Sequence, residues 1–272
     1  MTDNFSDKKP SRRQFLAGAA ALGAGSSAAG SLSASGDDPL ITEVQEWAQI
    51  TGDGVDATPY GLPIEFEKDV VRRNVSWLTA DTISSINFSP IHALDGTITP
   101  QGCAFERHHS GAIELRKEDY RLMINGLVDQ ELVFTYEDLE RFPREQHVYF
   151  CECAANTGME WAGAQLNGVQ FTHGMIHNME YIGVPLRTLL NEAGLNAAGD
   201  LKGKWIFVEG ADASSNGRSI PLEKALDDVL VAFKANGEAL RKEHGYPVRL
   251  VVPGWEGNMW VKWLRRVEVM DK

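Results

Sequence analysis

The spacing of apolar and polar positions changes repeatedly along this chain, and each change marks a candidate element. After Phe105, short apolar runs rich in β-branched and aromatic residues alternate with turn residues, a pattern of short strands. Residues 120–124 form one such run, which ends at Asn125-Gly126, a turn dipeptide. Residues 131–134 predict a strand leading into a helix that starts near Thr135, with Glu137 and Asp138 against its amino-terminal dipole. Residues 148–150, 205–208 and 248–252 predict further strands, and the spacing over 221–233, with Pro221 at its start, predicts a helix. Residues 37–100 are cut into short pieces by Gly52, Gly54, Pro59, Gly61 and Pro63, which predicts an extended arm able to wrap a neighbouring core. The fold class is α+β: mixed β-sheets with inserted helices over residues 101–272. No fixed-period repeat and no Gly-rich loop of Rossmann or Walker type occurs.

Residues 1–36 differ from the rest. A polar start with Lys8, Lys9, Arg12 and Arg13 precedes a charge-free Ala/Gly/Ser run, the layout of a signal peptide. The run is too rich in Gly and Ser to favour a permanent membrane anchor. Ser11-Arg12-Arg13-Gln14-Phe15-Leu16 resembles the twin-arginine export motif, with Ala17 where a lysine is frequent. The expectation is a twin-arginine signal and a periplasmic protein folded before export, with an ordinary secretory signal as the alternative.

Composition narrows the partners. The chain of 272 residues carries 26 Lys and Arg against 38 Asp and Glu, a formal charge of −12. Loss of the signal brings this to about −14. Such a surface does not attract nucleic acid but would steer a cationic protein toward it. Three cysteines cannot frame a disulfide scaffold, and Cys151 and Cys153 stand too close for an unstrained bridge.

The chemistry is therefore sought elsewhere. Cys153 ends a strand and enters Ala154-Ala155-Asn156-Thr157-Gly158, where small residues allow a bulky group to approach; the plainer reading is a buried small hydrophobe. His108-His109 is no metal site by spacing, since adjacent strand residues point to opposite faces and at most one would face a given ligand. A copper or zinc site built from Cys151, Cys153 and a nearby histidine is a further, weaker alternative. Arg249 and Lys262 adjoin strongly apolar runs, which suggests half-buried stems reaching a fixed anion.

Taken in order, Phe105-Glu106-Arg107-His108-His109, Cys153-Ala154-Ala155-Asn156, Gly210-Ala211-Asp212, Ser219-Ile220-Pro221, Asn236-Gly237, His244 to Arg249, Pro253-Gly254 and Val261-Lys262-Trp263-Leu264 resemble the catalytic domain of the sulfite oxidase family of molybdenum enzymes. The segments from Gly158 to Gly168 and from Phe171 to His177 are most similar to the SoxC branch, the molybdenum subunits of sulfane dehydrogenases in Sox sulfur oxidation. The resemblance implies a sulfite-oxidase-type molybdopterin-binding fold holding molybdenum-molybdopterin. By motif position Cys153 is the metal's protein ligand, a soft thiolate suited to a metal that cycles between oxidation states. Phe105, Glu106, Arg107, His108, His109, Asp212, His244, Arg249, Val261, Lys262 and Trp263 would hold the cofactor, with Arg107 facing the reacting oxyanion. Cys103 and Cys151 fall off the ligand position and are structural.

The implied reaction oxidises sulfane sulfur on a carrier protein and passes electrons singly to a c-type cytochrome subunit; the absence of Cys-x-x-Cys-His places the haem on a separate chain. Sulfite dehydrogenation is the alternative, and a non-catalytic binding module of the same fold is the alternative of another class. Two departures from the family bear on this. Thr157 and Gly158 stand where sulfite oxidases tend to carry an arginine pair, and Asn216, with Arg218 two residues on, replaces a tyrosine before Ser-Ile-Pro. Free sulfite should bind less well unless Arg218 compensates. The usual C-terminal immunoglobulin-like domain is also not in the sequence, which puts a homodimer in doubt.

Overall fold

The structure, a computed structural model, describes residues 46–55, 57, 61–74, 83–163, 167–195, 203–214 and 216–272. The expected signal segment lies outside the described residues. Contacts divide the chain into residues 1–58, in which a 3-10 turn at Glu46–Gln49 is described, and residues 59–272. No helix among the described residues is long and apolar enough to cross a membrane.

Two five-stranded sheets organise the second unit. In one, β5 (Glu145–Glu152) pairs with β6 (Ile176–Pro185), which pairs with β9 (Leu230–Ala235); β10 (Glu238–Ala239) and β11 (Arg249–Val251) also pair with β9, all antiparallel. In the other the order is β4 (Leu132–Thr135), β3 (Arg121–Gly126), β12 (Leu264–Met270), β7 (Trp205–Gly210) and β8 (Gly217–Pro221), with only β3 and β12 parallel. A small ribbon of β1 (Arg73–Asn74) and β2 (Asn87–Phe88) precedes them.

Helices fill the connections: α1 (Tyr136–Arg141), α2 (Val169–His173), α3 (Leu186–Glu192) and α4 (Leu222–Asp227). The start predicted near Thr135 is a full capping box. Thr135 Oγ1 accepts the Asp138 N–H at 3.1 Å, and the Thr135 N–H donates to Asp138 Oδ2 at 2.9 Å. Thr135→Ala should lower stability by about 1 kcal/mol in urea unfolding, and an unchanged midpoint would contradict this account of the helix start.

Two expectations are corrected, and the longest strand has no counterpart in the predicted set. The predicted 221–233 helix stops at Asp227, and its second half is the strand β9. Residues 230–233 are buried on both faces between neighbouring strands, so they read as an unbroken apolar run that spacing cannot distinguish from helix. Asn125-Gly126 is not the hairpin turn: β3 runs through both residues to pair with Glu268 and Val269. Gly126, at φ 91°, is required because a Cβ would collide with the Val269 carbonyl oxygen. Finally β6, the longest strand, has the inward and outward alternation of a strand, but buried His177 and Gly183 conceal it from an apolar count.

The chain passes from one sheet to the other between β11 and β12. Arg249 and Lys262 form an antiparallel bridge across that passage, and the Leu264 N–H donates to the Val248 carbonyl at 3.1 Å. The ends of β5 and β7 and the segment 105–109 meet at this junction.

Candidate active site

Cys153 is the first residue beyond β5. Its N–H donates to the Met175 carbonyl at 3.0 Å, extending the β5–β6 pairing by one step. The chain then turns, and buried Asn156 fixes the turn. Its N–H donates to the Cys153 carbonyl at 2.9 Å, its Nδ2 to Glu152 Oε1 at 3.0 Å, and its Oδ1 accepts the Met175 N–H at 3.1 Å. A half-buried thiol is thus held at a rigid strand end beside exposed Ala154 and Ala155. It lines a cleft of about 340 Å³.

The same cleft carries cations. Arg249 is 3% exposed, and its guanidinium donates to the carbonyls of His244 at 3.2 Å and Trp260 at 3.1 Å. Lys262, beside it, donates to the carbonyls of Arg107 at 3.0 Å and Glu243 at 3.1 Å and to His108 Nδ1 at 2.8 Å. That leaves the His108 proton on Nε2, which donates to Glu106 Oε2 at 2.6 Å. Glu106 is held in turn by Arg72, 3.1 Å away, which also reaches Glu243 at 3.1 Å. Neither Arg249 nor Lys262 forms an ion pair with a carboxylate among the described residues.

The electrostatics follow from this packing. Burial and the neighbouring Arg249 push the Lys262 ammonium down to about 7. Burial opposes ionisation of Glu106, yet the His108 hydrogen bond and the Arg72 charge carry it down to about 2. Burial lowers His108, His244 and His177, the last to about 3, so all three are neutral imidazoles at neutral pH. Burial raises the Cys153 thiol, while the Ala155 N–H and the Arg107 charge act the other way. Cys151 is enclosed and pushed up to about 12 by burial, which makes it a neutral core thiol.

A pH prediction follows for the cofactor-free protein. The unfolded chain holds the Lys262 proton up to its ordinary pKa of 10.5, whereas the folded chain releases it near 7. Stability from this group therefore rises with pH between about 7 and 10.5. Lys262→Met should flatten that part of the thermal-stability profile, and an identical slope in both proteins would refute it.

The residues singled out by sequence mostly converge. Phe105, Glu106, Arg107, His108, His109, Cys153, Asp212, His244, Arg249, Lys262 and Trp263 all line the cleft. Val261 does not; it is packed in the core, with its carbonyl accepting the Leu250 N–H at 2.8 Å. His108 and His109 both line the cleft, although adjacent residues of a strand would point to opposite faces. The segment leaves extended pairing after a single bridge at Arg107, so strand alternation does not apply. Cys151 and Cys153 both line the cleft, since residues two apart on a strand share a face, and among the described residues no three His, Cys, Asp or Glu side chains form a metal cage. Glu243, Asn258 and Trp260 also line the cleft and were not singled out, since nothing local marks residues that tertiary packing delivers.

The cleft suits a large anionic group with many hydrogen-bonding edges. Buried His244 Nδ1 and Trp263 Nε1, on two lining residues, have no hydrogen-bond partner among the described residues. Trp263 sits at φ 52°, a costly conformation for an aromatic residue and one that collects at functional sites. Gly245, at φ 102°, is needed: a Cβ there would press on the Cβ atoms of Lys262 and Arg249 at 3.0 and 3.1 Å.

Comparison with known proteins agrees with this reading. Residues 109–272 match the family model described as the oxidoreductase molybdopterin binding domain. Mitochondrial sulfite oxidase from Mus musculus is 35% identical over 184 residues, covering 64% of this chain and 33% of that protein. Inducible nitrate reductase [NADH] 1 from Glycine max is 33% identical over 189 residues, covering 65% of this chain and 21% of that one. The crystal structure of the sulfane dehydrogenase SoxCD from Paracoccus pantotrophus aligns with a TM-score of 0.80 and 71% identity, over 86% of this chain and 59% of that one. The chain thus spans about a third of the length of the sulfite oxidase and about a fifth of the nitrate reductase.

Proposed function

Because this chain belongs to the oxidoreductase molybdopterin-binding domain family, within the sulfite oxidase group and its SoxC-like branch, we propose that it is the molybdenum subunit of an exported sulfane dehydrogenase. Its substrate is sulfane sulfur carried on a protein cysteine, its electron acceptor a c-type cytochrome subunit, and its compartment the periplasm, reached by twin-arginine export. The observation that carries the proposal is a thiol on a rigid strand end lining one cleft with two cations that form no ion pair with a carboxylate among the described residues.

When bound, molybdenum-molybdopterin supplies two-electron oxidation of sulfur. The chain's own residues do the rest. Cys153 offers one soft sulfur ligand, with the Ala155 N–H and Arg107 favouring its thiolate form. Arg249 and Lys262 neutralise the cofactor's anionic end, and neutral His108, anchored on the Glu106 carboxylate, keeps the Lys262 ammonium aimed at it. Arg107 meets the oxyanion that develops on the substrate. Thr157 and Gly158 add no fixed charge near the thiol, which favours a substrate delivered on a carrier over a compact dianion.

Sulfite dehydrogenation is the second reading, favoured by the Arg218 side chain in the cleft and by the sulfite oxidase relatives. The deciding experiment compares oxidation of carrier-bound sulfane sulfur with oxidation of free sulfite, followed by cytochrome c reduction. Fast turnover on the carrier with weak turnover on sulfite is expected. A high turnover on sulfite at a low Michaelis constant would favour the second reading.

A further inference from the structure

Arg218 stands apart from the cofactor-facing pair, on β8 of the other sheet. Its Nη1 donates to the Gly217 carbonyl at 2.7 Å and its Nε to Asn258 Oδ1 at 3.2 Å. Asn258 is fixed in turn, its Nδ2 donating to Glu256 Oε1 at 2.6 Å. The guanidinium is therefore aimed through a neutral amide rather than quenched by a carboxylate, and among the described residues it makes no ion pair. Arg107 approaches the same cleft from the segment 105–109, where it donates to the His108 carbonyl and lies 3.5 Å from His109 Nδ1. Arg107 and Arg218 both act on His109, whose proton affinity is lowered first by burial and then by these two charges.

We propose that Arg218, with Arg107 and His109, forms a second anion subsite in the cleft that grips the negatively charged sulfur end of the substrate, making Arg218 a specificity-determining residue. This rests on the sulfur-oxidising reading above. The chain lacks the arginine pair that sulfite oxidases tend to carry just after the cysteine; Arg218 supplies one cation from another strand. Arg218 and Arg107 together bring two cations from separate segments of the chain to one part of the cleft, which suits the anionic terminus of a sulfur substrate.

The test is calorimetric binding of thiosulfate and of sulfate to the loaded enzyme, alongside oxidation of carrier-bound sulfane. Arg218→Gln should weaken thiosulfate binding roughly tenfold or more, the loss of one charge-assisted hydrogen bond, with cofactor content unchanged. Arg218→Lys should keep most of the affinity. Equal affinity in wild type and Arg218→Gln would overturn the proposal, and so would an equal loss in the lysine and glutamine variants, which marks a structural role. Asn258→Asp places a carboxylate on the same guanidinium and should weaken binding similarly; it decides the matter if Arg218→Gln fails to fold. Anions that bind through Arg218 without any sulfur substrate being oxidised would leave the subsite standing and remove the proposed function. Oxidation with anion affinity indifferent to Arg218 would do the reverse.

Discussion

Cys153→Ser should abolish both sulfane and sulfite oxidation while leaving the protein folded. Serine is nearly isosteric, the Cys153 N–H bond to Met175 and the Asn156 bracket are main-chain or neighbouring features, and the thiol is only half-buried. Unfolding should therefore change little. The loss of turnover should exceed the roughly 10- to 100-fold typical of removing a group that merely supports a metal ligand. Cytochrome c reduction with a molybdenum assay on the same sample checks this, and substantial activity in the variant would remove Cys153 from its role. Cys151→Ser makes the informative contrast. That thiol is neutral and enclosed, so its replacement should cost stability through a buried hydroxyl rather than remove the chemistry.

Arg249→Met should release the cofactor. The guanidinium is almost wholly buried, pairs with no carboxylate among the described residues, and is steadied by two carbonyls and by the Tyr181 and Trp260 rings at 5.9 and 5.8 Å. Taking away one member of a buried, hydrogen-bonded charge pair costs roughly 2–5 kcal/mol of binding, or roughly 30- to several-thousand-fold in affinity. The cofactor-free protein should suffer less. It loses two carbonyl partners but also sheds a desolvated cation that nothing in the empty cleft offsets. Pterin retained after gel filtration, compared with urea unfolding of the empty protein, separates the two effects. Full cofactor retention would show that the buried charge serves the fold alone.

Much of this site is legible in sequence because its parts sit at element ends. Cys153 follows a strand, Asp212 follows β7, and Arg249 and Lys262 flank one turn, so local pattern locates them before packing is known. What stays hidden is long-range. Arg72 reaches Glu106 and Glu243, the latter 171 residues away, and no local pattern marks an arginine in a broken arm as a partner of the cleft wall. Asn258 is equally silent, since its meaning lies in aiming a guanidinium on another strand. The 221–233 misreading has a different cause: a strand buried on both faces loses the alternation that would identify it. His108 and His109 mislead in the opposite way, because strand geometry was assumed where the backbone is irregular.

The central claim is that Cys153 supplies a sulfur ligand to molybdenum in this cleft. X-ray absorption at the molybdenum edge, on wild type and Cys153→Ser loaded to the same metal content, tests it most directly. The account predicts one sulfur neighbour fewer in the variant. The same number of sulfur neighbours in both proteins would contradict it.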